Sequence, residues 1–234
     1  HPFSNASLRN ASSVKPHTST VPFPISSPRE ALTCDRGSGS TTNKGAAQTG
    51  ASLFAGHAQT TVTDMIGREV TVTPGSYKRV VCIGAGALRM YSYVGDVSLL
   101  CGVEDIDNTA LSQRPMMFDS VARPYMLAYG ESFKSLPSCG VGGPMAQAAE
   151  AEKILACDPD IVISEFEDVE KSNALQEQLG VPVITLSAGS KGVFDEAFSG
   201  SMNLLGQIFG KEEKAAQLVA YVEAEAAEIS ARTA

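Results

Sequence analysis

The sequence predicts an α/β fold, a parallel sheet flanked by helices, with a short β-hairpin at its N-terminal end. Three observations carry this. Short runs rich in Val, Ile and Thr alternate along the chain with segments whose apolar residues recur at helical spacing, the pattern of strands joined by crossover helices. The runs at 79–83, 160–164 and 181–186 are almost continuously apolar, as strands covered on both faces must be. Glycines stand where the helical segments should stop, at Gly180 and Gly210.

The elements follow in order. Residues 61–73 form two β-rich runs around Gly67, a hairpin by turn chemistry and Thr/Val content. Residues 79–83 make a buried strand, followed by the turn Gly84, Ala85, Gly86 and a helix to about Val94. The apolar run 97–103 reads as the next strand, and 104–146 as a long irregular segment. A helix is expected over 148–156, a strand over 160–164 and a helix over 169–179. A strand follows at 181–186, whose Pro182 lies near its start, where proline is tolerated. Apolar residues at 194, 198, 202, 205 and 209 give one more helix, and Leu218, Val219, Val222, Ala226 and Ile229 give the last. That final stripe is expected to be partly exposed.

Residues 1–60 are rich in Ser, Thr, Pro and Gly without periodicity and are expected to form a disordered tail or leader segment. Arg9, Lys15, Arg29, Arg36 and Lys44 outnumber Glu30 and Asp35 there, so the rest of the chain is more acidic than the overall net charge of −8. An acidic body argues against nucleic acid as a partner, since phosphate binding needs a basic footprint. No run nears the roughly 20 apolar residues of a membrane span. No complete signal peptide is visible, although 51–58 has the small residues of a cleavage region at Gly56 and Ala58, and Cys34 loosely matches an acylation site. The five cysteines are an odd number and show no C-x-x-C spacing.

In a parallel α/β sheet ligands gather beyond the carboxyl ends of the strands. That selects Gly84, Ala85, Gly86 and Ala87, then Glu104 to Asp107, Glu165 with Phe166, and Ser187. The glycine turn feeds a helix whose first amides lack intrahelical acceptors, which suits an anion, but neither a dinucleotide nor a P-loop glycine pattern is present. Arg123 and Tyr125, with Arg114 and several Met nearby, suit an anionic, partly aromatic ligand. The three histidines, His1, His17 and His57, all lie in the tail. This removes His-based triads and most zinc sites from the body. The carboxylates Glu165, Glu167, Asp168 and Glu170 follow a strand, where a helix start favours acids in any case.

Several stretches together resemble the periplasmic binding proteins of the iron-siderophore and vitamin B12 class: 63–71, 78–84, 87–95, 123–126, 140–144, 151–163 and 179–184. The resemblance runs from about Thr61 to the C-terminus. It implies a Rossmann-like lobe of a two-lobed protein, with a long bridging helix and a chelate held between the lobes. On this reading 61–195 is the N-terminal ligand-binding lobe and 196–234 includes the start of the bridging helix, with the second lobe absent. Cys139, Cys157 and the first 60 residues depart from the family pattern. The implied function is that of an extracytoplasmic solute-binding component of an ABC importer, not an enzyme, secreted or lipid-anchored at the outer face of the membrane. Its partners would be a small metal chelate and the permease subunits, with no cofactor and no metal ligand of its own. Ferric siderophore is the first choice, ahead of haem or a corrinoid, because the His-free body suits a metal already wrapped. The implied ligand residues are Gly84, Ala85, Gly86, Ala87, Arg123, Tyr125, Glu165 and Phe166, with Arg123 the main charge partner of an anionic chelate. Glu170 would dock on the permease, with Glu167 as substitute. Two other readings stay open: a chelatase- or nitrogenase-like enzyme lobe, which would need a group such as Cys139 in a loop, and an interaction domain without ligand.

Overall fold

The computed structural model describes residues 58–116, 123–143, 146 and 148–233. The expected tail, apart from its last residues, lies outside them, as do Met117 and Pro144. Two strands, β1 (Thr60–Thr63) and β2 (Glu69–Val72), pair antiparallel with Thr63 opposite Glu69. Alternation sends Val62, Val70 and Val72 inward and the intervening residues to solvent, so the expected hairpin is borne out.

The main sheet is parallel. β3 (Val80–Ile83), β6 (Ile161–Ser164) and β7 (Val183–Thr185) lie in the order β3-β6-β7. β4 (Val103–Glu104) pairs in parallel with β5 (Ser138–Gly140), and a bridge between Val80 and Leu100 joins the approach to β4 onto the other side of β3. Side-chain alternation divides the core in two. Val80, Cys82, Ile161, Ile163 and Ile184 face α1 (Ala87–Val94) and α5 (Glu196–Phe209), while Val81, Ile83, Val162 and Val183 face α3 (Ala151–Ala156) and α4 (Val169–Leu179). Both faces are thus covered by helices, as a buried parallel sheet requires. Gly180 ends α4 with φ 69°, a left-handed conformation that glycine adopts at little cost.

The last helix, α6 (Glu212–Thr233), packs against α5 at a close approach in which a Cβ on Gly206 would stand 2.8 Å from the Ala215 Cβ. Its expected stripe is graded. Leu218, Val219 and Val222 pack partly on the core, Ala226 is half-buried and Ile229 is exposed; the buried residue of the helix, Ala215, lies before the stripe.

Four expectations need correction. The run 97–103 is not a strand over its length: Val97–Leu99 forms a 3-10 turn. The Asp96 carboxylate causes this by accepting from both the backbone N–H and the hydroxyl of Ser98, a local bond that competes with extension. The segment 104–146 is not irregular throughout, because it holds α2 (Pro124–Phe133) as well as β5. Pro124 occupies the first helical position, where its fixed φ and missing N–H fit, so the residue that reads as a breaker is a helix start. Cys139 is therefore on a buried strand rather than in a loop, and burial pushes its thiol well above the usual range. The helix expected at 148 starts at Ala151.

Candidate functional site

The carboxyl ends of β3 and β4 and the N-terminal end of α2 surround a cavity of about 290 Å³. Its floor is the turn Gly84, Ala85, Gly86, with Arg89 one helical turn further on; its walls include Glu104, Ile106 and Asp107 after β4, Arg123 and Tyr125 at the start of α2, and Gly143. A second hollow, of about 430 Å³, lies along α2 and shares Arg123, with Arg114 and Leu127.

The turn is shaped by φ 124° at Gly86, a region that residues with a side chain avoid. A Cβ there would also stand 2.4 Å from Glu165 Oε2, so the glycine admits that carboxylate against the backbone. The Gly84 N–H, one of the amides expected to hold an anion, donates to Glu104 Oε1 at 2.9 Å. An internal carboxylate therefore occupies part of the expected anion cradle.

Arg123 forms an ion pair with Asp107 and donates to the Ile106 carbonyl at 3.2 Å. The Tyr125 hydroxyl donates to the same Asp107 at 2.8 Å. Burial raises the Tyr125 phenol above its ordinary value, and the Asp107 charge adds to this. Asp107 thus draws Arg123 and Tyr125 into one wall.

Two carboxyls near the floor are unusually weak acids. Burial pushes Glu104 up to about 7; Asp107, Asp105 and Glu150 raise it further, while the Gly84 amide opposes the shift. Burial likewise brings Glu165 to about 7, with Arg89 pulling it down and Glu167 up. Glu165 Oε2 is buried and accepts no hydrogen bond among the described residues.

Of the residues expected from the sequence, Gly84, Ala85, Gly86, Arg123 and Tyr125 line one cavity, and Glu165 lies against Gly86. Ala87 is fully buried in the core. Phe166 faces a separate hollow of about 200 Å³ with Ala149, Lys171 and Leu175. Ser187 is tied to Ser201, whose hydroxyl accepts from the Ser187 N–H and donates to its carbonyl. Glu170 is exposed in the first turn of α4, whose cap is the Asp168 carboxylate accepting from the Lys171 N–H at 2.9 Å. Arg89 was not singled out in the sequence. Its signal is spacing alone, three residues past Gly86 on a helix, which returns it to the face of the turn.

Residues 122–234 match the family model described as periplasmic binding protein. The fold is that of solved periplasmic binding proteins. The molybdate-bound MolA of Haemophilus influenzae superposes with a TM-score of 0.51 at 18% identity over 68% of this chain and 49% of that one. The petrobactin-binding protein YclQ of Bacillus subtilis gives 0.51 at 19% identity over 74% and 52%. The siderophore-binding protein BauB, solved with two molecules of acinetobactin and ferric iron, gives 0.54 at 18% identity over 76% and 55%. No curated protein matches the chain in sequence. The fold expected from the sequence is borne out, and residues 122–234 match the expected family. The chain spans about half the length of these solved proteins.

Proposed function

We propose that this lobe supplies half of the ligand site of an extracytoplasmic solute-binding protein, which captures a metal chelate, a ferric siderophore, and delivers it to an ABC importer. The observation that carries the reading is the cavity at the strand ends, where a glycine turn meets a wall of Arg123, Tyr125 and Ile106. Apolar and aromatic surface with a few fixed polar groups suits an organic ligand. The family match supports an extracytoplasmic location, and among the described residues no helix is long and apolar enough to cross a membrane.

Titration of the chain with ferric siderophores, haem and molybdate, followed by intrinsic tyrosine fluorescence, tests the reading. A ferric siderophore is expected to bind most tightly. Ala85→Trp should remove that binding while preserving the fold, because Ala85 is exposed and lines the cavity. Stronger binding of haem or molybdate, or unaltered siderophore affinity in Ala85→Trp, would remove this assignment.

Delivery requires a surface that meets the permease, and Glu170 is the proposed contact. Its position in the first turn of α4 also suits the helix dipole, which is worth about 0.3–1 kcal/mol of stability. The two roles separate by experiment. In cells carrying the complete protein, Glu170→Ala should lower transporter-dependent uptake several-fold without changing ligand affinity, and wild-type uptake in this variant and in Glu167→Ala would end the docking proposal.

A further inference from the structure

The charges around the cavity do not cancel. Arg123 is matched by Asp107 within one wall. Arg89 acts on Glu165, whose acidity it increases. Glu104 is left over. It lines the cavity with only 6% of its surface exposed, and the charged groups that act on it, Asp105, Asp107 and Glu150, are all acids. One of its oxygens accepts from the Gly84 N–H; the other accepts no hydrogen bond among the described residues. The residue borders the cavity, which is where a donor for that oxygen can come from.

We propose that Glu104 determines ligand specificity, selecting a chelate that presents a cationic or hydrogen-bond-donating group to its unpartnered oxygen. This rests on the chelate reading above and narrows it. A ferric trihydroxamate is neutral at its metal centre and becomes a cation when it carries an ammonium arm. A ferric tris-catecholate carries three negative charges and would meet Glu104 with like charge. Of the groups that would welcome such an anion, Arg123 is engaged with Asp107 and the Gly84 amide with Glu104 itself, while Arg89, whose Nε has no hydrogen-bond partner among the described residues, faces the charge of Glu165.

The charge on Glu104 sets the expected pH dependence. Its carboxyl, pushed up to about 7, is largely protonated at pH 6 and largely ionised at pH 8. A bound cation favours the ionised form, so cation binding releases protons and strengthens as pH rises through this window. Glu165, also near 7, faces Arg89 and Glu167 and titrates over the same range.

The test uses three probes with the full chain: a ferric trihydroxamate bearing an ammonium arm, the same chelate with that arm acetylated, and a ferric tris-catecholate. At pH 8 the cationic probe is expected to bind about tenfold more tightly than the acetylated one, the scale of one charge-assisted contact, and the catecholate most weakly. Glu104→Gln retains an acceptor for the Gly84 N–H and should bring the cation-to-neutral ratio close to one. Should that variant fail to fold, the wild-type ratio measured from pH 6 to pH 8 decides, since it must rise. A catecholate that binds as tightly as the cationic probe, a ratio unchanged in folded Glu104→Gln, or a ratio independent of pH would overturn the role of Glu104 and leave chelate binding standing. Binding of none of the three would remove the chelate reading itself.

Discussion

Arg68→Ala is expected to destabilise the lobe by about 3–5 kcal/mol, the cost of leaving a buried charge without its partner. The Arg68 and Asp64 side chains are 5% and 0% exposed, and they pair at 3.3 Å. Asp64 also accepts from the Ile66 and Arg68 amides of the hairpin turn and from the Thr185 amide of β7. Arg68 reaches further, donating to Asn173 and Gln176 of α4 and to the Val183 carbonyl. One ion pair therefore fastens the hairpin to the last strand and helix of the sheet. Denaturant melts of Arg68→Ala, Asp64→Asn and the double variant would measure it. The double variant should recover part of the loss, because it no longer buries an unpaired carboxylate. A loss below about 1 kcal/mol in Arg68→Ala would mean that water reaches Asp64 and the pair behaves as a surface pair.

Gly86→Ala should abolish ligand binding and lower stability as well. A side chain at φ 124° costs about 1–3 kcal/mol, and the new Cβ would meet both Glu165 oxygens, at 2.4 and 3.1 Å. Either Glu165 leaves its position against the turn or the turn itself shifts, and the turn is the floor of the cavity. Gly67→Ala is the control. Its φ is 82°, but nothing lies within 4 Å of the added atom, so it should suffer strain alone and retain binding. Thermal melts with titration of a ferric trihydroxamate would compare the two. Equal affinity in both variants would show that the glycine serves only the backbone.

The sheet was legible because β3, β6 and β7 are buried on both faces, and only apolar, β-branched runs satisfy that position. The hairpin was legible through Gly67. What escaped depends on contacts distant in sequence or on local bonds that outweigh composition. Residues 97–103 have the composition of a strand, yet one carboxylate, Asp96, turns the chain. Helix α2 was hidden by Pro124 at its start and Gly130 within it. In the site, the strand-end rule found the turn and Glu104, and residue chemistry found Arg123, but the rule could not show that the Gly84 amide is spent on Glu104, twenty residues away in sequence. Nor could it tell Ala87, inside the core, from Ala85, beside the cavity.

The two sides of that cavity differ in how they are held. The turn Gly84–Gly86 continues a strand with neighbours on both sides, so moving it means disrupting the sheet. The opposite wall hangs on α2, which buries only Gly130 and Phe133 and leaves Leu127 73% exposed. Regions with few buried apolar contacts open at free energies far below that of global unfolding. The cleft thus has a stiff jaw and a compliant one. Admission of a bulky guest falls to the compliant side, where the grip of Arg123 and Tyr125 on the buried Asp107 ties the start of α2 to the end of β4.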